Sequence, residues 1–357
     1  MSNADLANLS DKLMLTTVVM YIIALVAYAA DMGFGRRGAA TAAAARTADA
    51  AVQEKAAAKV LVGAGGAADV GDTEVAKADA TTDDDAERPQ VDWGSLAILL
   101  SVLGVGAHLG VLVSRGLAAS RWPWGNMYEF LTAISFAAVA AFMVVMFRHK
   151  ARFLGAPVMF AAVIALGAAN IWLYDSVGPV TPALNSYWIA IHVSAAIIAT
   201  GAFTVAGAAT ILYFLKSREE AREEAREEAR EEALAGAGAG AGAGVKVRGG
   251  ALARVPSAET LDRLAMRVTM FAFPIWTAAI IMGAIWADQA WGRYWGWDPK
   301  EIWSFVTWII YAAYLHARAT SGWKGRKAAF LSLLAFAALL FNFFGVNYMF
   351  SGLHSYA

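Results

Sequence analysis

Long apolar stretches alternate with short polar ones along this chain, and two extended low-complexity segments interrupt the alternation. A membrane-spanning helix needs about 20 mainly apolar residues. Eight stretches qualify or come close: 13–30, 94–114, 127–147, 153–173, 187–215, 268–287, 301–319 and 328–347. The pattern predicts an all-α, polytopic integral membrane protein with about eight transmembrane helices. The first stretch is expected to remain as a helix, because "MSNADLANLSDK" lacks the basic start of a secretory leader and no small-residue cleavage site is evident.

Five segments follow. Residues 1–30 form the first transmembrane helix, 31–92 a low-complexity cytoplasmic segment, and 93–215 helices two to five. Residues 216–260 form a charged helix and Gly-Ala linker, and 261–357 hold helices six to eight with a Trp-rich loop. The 31–92 segment is Ala-rich with few aromatics, which argues for disorder. In "KSREEAREEAREEAREEA", Glu219 and Arg222 are three apart and the pairing repeats, which suits a solvated helix. The Gly-Ala run after it reads as a flexible spacer.

Lys and Arg near the span ends set the orientation. "FGRR", "FRHKAR", "LKSR" and "SGWKGRK" follow spans one, three, five and seven, whereas "LYDSVGPVTPALNSY" carries no positive charge. Arg115 and Arg121 run against the trend. The balance places both termini outside, which is consistent with an even number of spans.

Composition agrees: the chain is 59% hydrophobic and 16% charged, with mean hydropathy +0.50, outside the range of soluble domains. Net charge is zero, so nothing points to nucleic acid. Cysteine is absent, which excludes disulfides, thiolate metal sites and a C-x-x-C-H attachment site within the chain.

The five histidines are the candidate metal ligands, and the topology sorts them by depth. His192, in "NSYWIAIHVSAAI", lies near the outer end of span five, and His354, in "GLHSYA", follows span eight. Both share a side with the Trp-rich loop. His316 lies toward the inner end of span seven, roughly 22 Å from its outer end. An ionisable group within a span is a functional candidate, although an interhelical hydrogen bond explains it equally. His108 falls within span two and is given no ligand role, and His149 is a surface charge among Arg148, Lys150 and Arg152. Two outward imidazoles from different helices can grip one metal between them, and haem iron takes axial His readily.

The loop "WGRYWGWDPKEIWSF" sharpens that reading. An interfacial aromatic belt accounts for Trp303 and Trp308. It accounts less well for tryptophans interleaved with Gly292 and Gly296, which permit close approach by a bulky ligand. Trp291 and Trp295, four apart, share a face if this piece is helical. Asp298, Pro299 and Glu301 fit the N-cap, N1 and N3 of span seven, so Asp298 needs no ligand contact to explain it.

"WGRYWGWDPKEIWSFVTWIIYAAYLH", "PALNSYWIAIHV", "SRWPWGNMYEF" and the closing "GLHSYA" resemble the hallmark segments of the CcsA/ResC family, the WWD-motif haem-handling proteins of System II cytochrome c biogenesis. The likeness covers about residues 95–215 and 260–357. It implies that haem b is carried to the outer face of the plasma membrane and presented to the CxxCH thiols of apocytochrome c. It further implies that His192 and His354 bind the haem iron axially and that Trp291, Trp295, Trp297 and Asp298 form the WWD haem platform. His316 would serve a second, intramembrane haem. The implied partners are a ResB-like membrane protein, apocytochrome c, a thiol-reducing protein and membrane lipid, and the assembly would act as a cytochrome c haem lyase.

Two rival readings remain. A dihaem b electron-transfer subunit would place its His pairs within spans on facing helices. A small-solute secondary transporter usually shows paired repeats with broken helices, and no convincing repeat is visible.

Overall fold

The computed structural model describes residues 1–34, 92–180, 182–237, 252, 254–320 and 323–354. Most of the 31–92 segment and the Gly-Ala run of 216–260 lie outside them. Eight long helices make up the described chain: α1 (Asn3–Phe34), α2 (Trp93–Ala119), α3 (Met127–His149), α4 (Gly155–Trp172), α5 (Tyr187–Ala237), α6 (Ala258–Trp291), α7 (Pro299–Ala319) and α8 (Arg326–Leu340). No strand occurs among the described residues. A π turn at Phe341–Gly345 and a short helix, Val346–Met349, carry α8 into the C-terminal tail.

Side-chain caps mark where several helices begin. Asp92 accepts from the Ser95 amide, Asn126 from Glu129, and Asp298 from Lys300 within a full capping box. Each such cap contributes about 1 kcal/mol. Seven helices are long and apolar enough to cross a membrane. The eighth, α7, has 21 residues, long enough at 1.5 Å per residue. Ser304, Thr307, Tyr311, Tyr314 and His316 lower its hydropathy. Helix α7 therefore depends on its neighbours to cover polar positions, and Thr307, Tyr311 and Tyr314 are buried.

The tightest pairings are α1 with α2 and α5 with α6; α3 and α8 also pack on α5, and α7 packs on α8. Small residues allow this approach. Ala196, Ala199 and Ala202 on α5 share one buried cluster with Ala272 and Ala279 on α6, the small-residue contact that membrane helices favour. Helix α5 runs on for 51 residues, so the charged repeat continues the span as one helix, largely exposed beyond Glu220.

Two contacts tie the first and last helical segments to one end of the bundle, and a third joins two loops there. The Tyr174 hydroxyl donates to Asp11 on α1, the Asn126 amide donates to Asp175, and the Asn347 amide reaches the Met127 sulfur. The Trp-rich loop lies at this same end. Arg148, Lys150, Arg152, Arg326 and Lys327 gather at the opposite, basic end.

Candidate functional site

Four parts of the chain converge at the Trp-rich end. The first turns of α5 supply His192, the last turns of α6 supply Trp286 and Trp291, the α6–α7 loop supplies Trp295 and Asp298, and the tail supplies His354.

His192 Nδ1 lies 2.8 Å from the Ala279 carbonyl oxygen. A carbonyl only accepts, so the ring proton is on Nδ1 and the lone pair on Nε2. Gly283, one turn further along α6, makes room for this ring: a Cβ there would sit 2.7 Å from His192 Cε1. His354 Nδ1 lies 2.8 Å from Asp298 Oδ1. The carboxylate again accepts, giving His354 the same tautomer. Trp286 is buried between these imidazoles, parallel to His192 at 6.0 Å and edge-on to His354 at 5.7 Å, while Trp291 meets His354 edge-on at 4.9 Å. The indole nitrogen of Trp286 donates to the Ala183 carbonyl, fixing its plane.

Asp298 does more than cap α7. Its Oδ1 accepts from the Lys300 amide and the His354 ring, and its Oδ2 accepts from the Leu353 amide. Burial alone would raise the Asp298 carboxyl. The hydrogen bonds it accepts from His354, Leu353 and Lys300 outweigh that effect and hold the group at about 2. Gly352 lets the tail approach, since a Cβ there would fall 2.5 Å from Asp298 Oδ2. Lys300 ties the tail a second time, donating to the Asn342 carbonyl in the π turn at 2.7 Å and to Asn347 Oδ1 at 2.8 Å.

A cavity of about 180 Å³ opens between these groups, lined by His192, Trp286, Trp295, Lys300, Asn342 and His354 among others. Asn342 Oδ1 is buried beside it with no hydrogen-bond partner among the described residues, and such an acceptor calls for a ligand or water. The donor set suits haem iron: two neutral imidazoles with Nε2 lone pairs, each oriented through Nδ1, within a bed of indoles. The volume is below the roughly 300–1,000 Å³ of ordinary ligand pockets. Seating a macrocycle therefore requires the walls to part, and the tail bearing His354 is the wall held by side-chain ties.

The other sequence candidates are placed as follows. Helix α6 ends at Trp291, where Gly292 takes a left-handed conformation, so Trp291 and Trp295 do not share a helical face. Trp295 lines the cavity, edge-on to Phe305 and Trp297. Trp297 is 65% exposed with φ +58° and does not line the cavity. His316 is exposed on α7, about 27 Å along the helix from Asp298. His108 is buried against Tyr21 and Phe136, away from the site, and His149 is exposed. Trp286, Gly283, Lys300 and Asn342 were not singled out from sequence. Trp286 reads there as one more apolar residue of a span.

A family model described as "Cytochrome C assembly protein" matches residues 124–354. The cytochrome c biogenesis protein CcsA of Gloeobacter violaceus is 35% identical over 297 residues, covering 72% of this chain and 87% of the relative. The CcsA of Trieres chinensis is 32% identical over 253 residues, covering 69% and 81%. Among solved structures, the cytochrome c heme lyase CcmF superposes with a TM-score of 0.57 at 14% identity. It covers 96% of this chain, which spans 47% of that longer protein. At that identity the likeness is one of fold.

Proposed function

The chain belongs to the CcsA family of cytochrome c assembly proteins and acts in cytochrome c biogenesis; from that premise we propose that it is the haem-handling subunit of a cytochrome c synthase. It would present haem b at the outer face of the plasma membrane for attachment to apocytochrome c. The observation that carries this reading is the pair of imidazoles, His192 and His354, held in one tautomer beside Trp286 around a single cavity.

In this reading His192 and His354 would hold the iron and Trp291 and Trp295 would bed the macrocycle, while Trp297 packs edge-on against Trp295 from outside. Bound haem supplies the vinyl carbons to which the substrate's thiols add. Asp298 orients His354 and fixes its tautomer, as a carboxylate behind a ligating histidine does. The two ligands differ in mobility. His192 is fixed by helix backbone, whereas His354 sits on a tail anchored through Asp298 and Lys300. Of the two residues that would hold the iron, His354 is therefore the one more easily moved. His316, exposed at the other end of α7, would pair with a ResB-like partner around a second haem. With no thiol of its own, the chain would rely on a separate protein to keep the substrate reduced.

The test is the visible spectrum of the full chain purified with and without its partner. Low-spin haem b that is lost or turns high-spin in His192→Ala and in His354→Ala is the expected result. A low-spin spectrum unchanged in both variants would refute the reading and favour the electron-transfer rival. Absence of haem from every preparation would refute it in favour of a solute transporter.

A further inference from the structure

A second cavity, of about 1650 Å³, runs along a different face of the bundle. Helices α3 and α6 both pack on α5 but hardly on each other, and α2 completes the wall. The result is a trough beside α5 lined by Leu112, Phe136, Ala140, Val144, Ile197 and Phe271. Val144 and Phe271 at its rim are 60% and 63% exposed, so the trough opens sideways toward the bilayer. It follows α3 from the Trp-rich end to Arg148, about 32 Å at 1.5 Å per residue, the thickness of a hydrocarbon core.

The two ends differ in charge. At the Trp-rich end Arg121 is consumed: it pairs with Glu129 at 2.6 Å and donates to the Gly178 carbonyl. At the basic end Arg148, His149 and Arg267 line the trough. Neither arginine has an ion-pair or hydrogen-bond partner among the described residues. An apolar trough with two unpaired guanidinium groups at one mouth fits an amphiphile with a single anionic head and long aliphatic tails. Basic pockets between membrane helices on the cytoplasmic side bind anionic headgroups in this way. No imidazole pair faces the trough, so it offers no axial grip for haem.

We propose that this trough is a binding site for one anionic phospholipid of the basic-side leaflet, its phosphate between Arg148 and Arg267 and its acyl chains along α3, α5 and α6. The lipid takes the place of a direct α3–α6 contact and closes the bundle on that side.

The experiment reconstitutes the full chain in nanodiscs of phosphatidylcholine and titrates in phosphatidylglycerol, reading bound lipid by native mass spectrometry. Saturation at one phosphatidylglycerol per chain is expected. Arg148→Gln with Arg267→Gln should weaken it about 30-fold, from roughly fivefold for each charge near the surface. Ala140→Phe should fill the trough and lower occupancy with both arginines intact. If that variant fails to fold, the arginine pair decides alone, because both side chains are exposed at helix surfaces. Equal retention of phosphatidylcholine, unchanged phosphatidylglycerol binding in the double variant, or haem displacing the lipid from the trough would each overturn the assignment. The haem spectrum of the same samples reports on the His192–His354 site separately.

Discussion

Two loops at the Trp-rich end are built on one plan and finished differently. In the α2–α3 loop, Arg121 precedes Trp122 and Trp124, Asn126 caps the helix and Glu129 stands at N3. In the α6–α7 loop, Arg293 precedes Trp295 and Trp297, Asp298 caps the helix and Glu301 stands at N3. Each glutamate folds back onto its own loop, Glu129 onto the Gly125 amide and Arg121, Glu301 onto the Gly296 amide and Arg293. The first loop then closes completely. A second arginine, Arg115, adds its guanidinium to Glu129 at 2.9 Å, with both side chains at 2% exposure or less, and Asn126 also reaches Asp175. In the second loop no further arginine arrives, and the cap Asp298 turns outward to hold His354. One frame thus serves as a lock where two guanidiniums converge on one buried carboxylate, and as a holder where the cap's acceptors are aimed at a movable ligand.

Breaking the lock should have the largest effect. Glu129→Ala leaves Arg115 buried without its carboxylate, and breaking a buried pair in this manner costs about 3–5 kcal/mol. Thermal unfolding in detergent should show that loss, while Glu301→Ala, with its partner Arg293 at 29% exposure, should cost clearly less. Equal losses would mean that the two loops do not differ in the way described.

The holder should fail in function rather than in folding. Asp298→Asn keeps a cap acceptor but removes the charge behind His354, and loss of such an orienting partner typically lowers metal affinity 10- to 100-fold. Haem titration of the purified variant reads this directly, and the unfolding temperature should fall less than in Glu129→Ala, because one acceptor oxygen survives at the cap. Acid offers a second handle. The Asp298 carboxyl is depressed from 3.8 to about 2, so its contribution is complete above pH ~4 and is lost as pH falls through 2. Protease access to the tail of the haem-free protein should stay flat on the carboxylate's account from neutral pH down to about 4, then rise.

How far the sequence carried this picture depended on the range of the interaction involved. Apolar runs located every long helix, because burial in lipid is decided residue by residue, and "DPKE" revealed the α7 cap for the same local reason. The helical extension of α5 past Lys216 was visible in its repeated Glu–Arg pairs. The hydropathy of α7 misleads slightly, since its buried Tyr311 and Tyr314 score as polar until neighbours are in place. Pairings across the chain were out of reach. Nothing in the one-dimensional pattern joins Asp298 to His354, or puts Gly283 beneath His192, and Trp286 looks like any span tryptophan until two imidazoles flank it. The π turn that offers Asn342 to Lys300 has no sequence signature here. A shared Arg-to-Glu spacing of eight in the two loops was present in the sequence but concealed by different intervening residues.

Removing the acceptor charge at Glu301 is a smaller step. In Glu301→Gln one amide acceptor survives while the pair with Arg293 goes, and a single part-exposed hydrogen-bonded contact contributes about 1 kcal/mol. The smallest effect is expected at Trp297. Its φ of +58° is costly for a residue with a Cβ, about 1–2 kcal/mol, and glycine removes that strain. Glycine also loosens the unfolded chain by about 0.4–1 kcal/mol, and the exposed indole has little burial to lose. The terms nearly cancel, so Trp297→Gly should shift stability by no more than about 0.5 kcal/mol, and haem retention should exceed that of Trp295→Ala. A haem loss in Trp297→Gly as deep as in His354→Ala would show that the exposed indole grips the ligand itself, and would move the platform from the cavity wall to the outer rim of the loop.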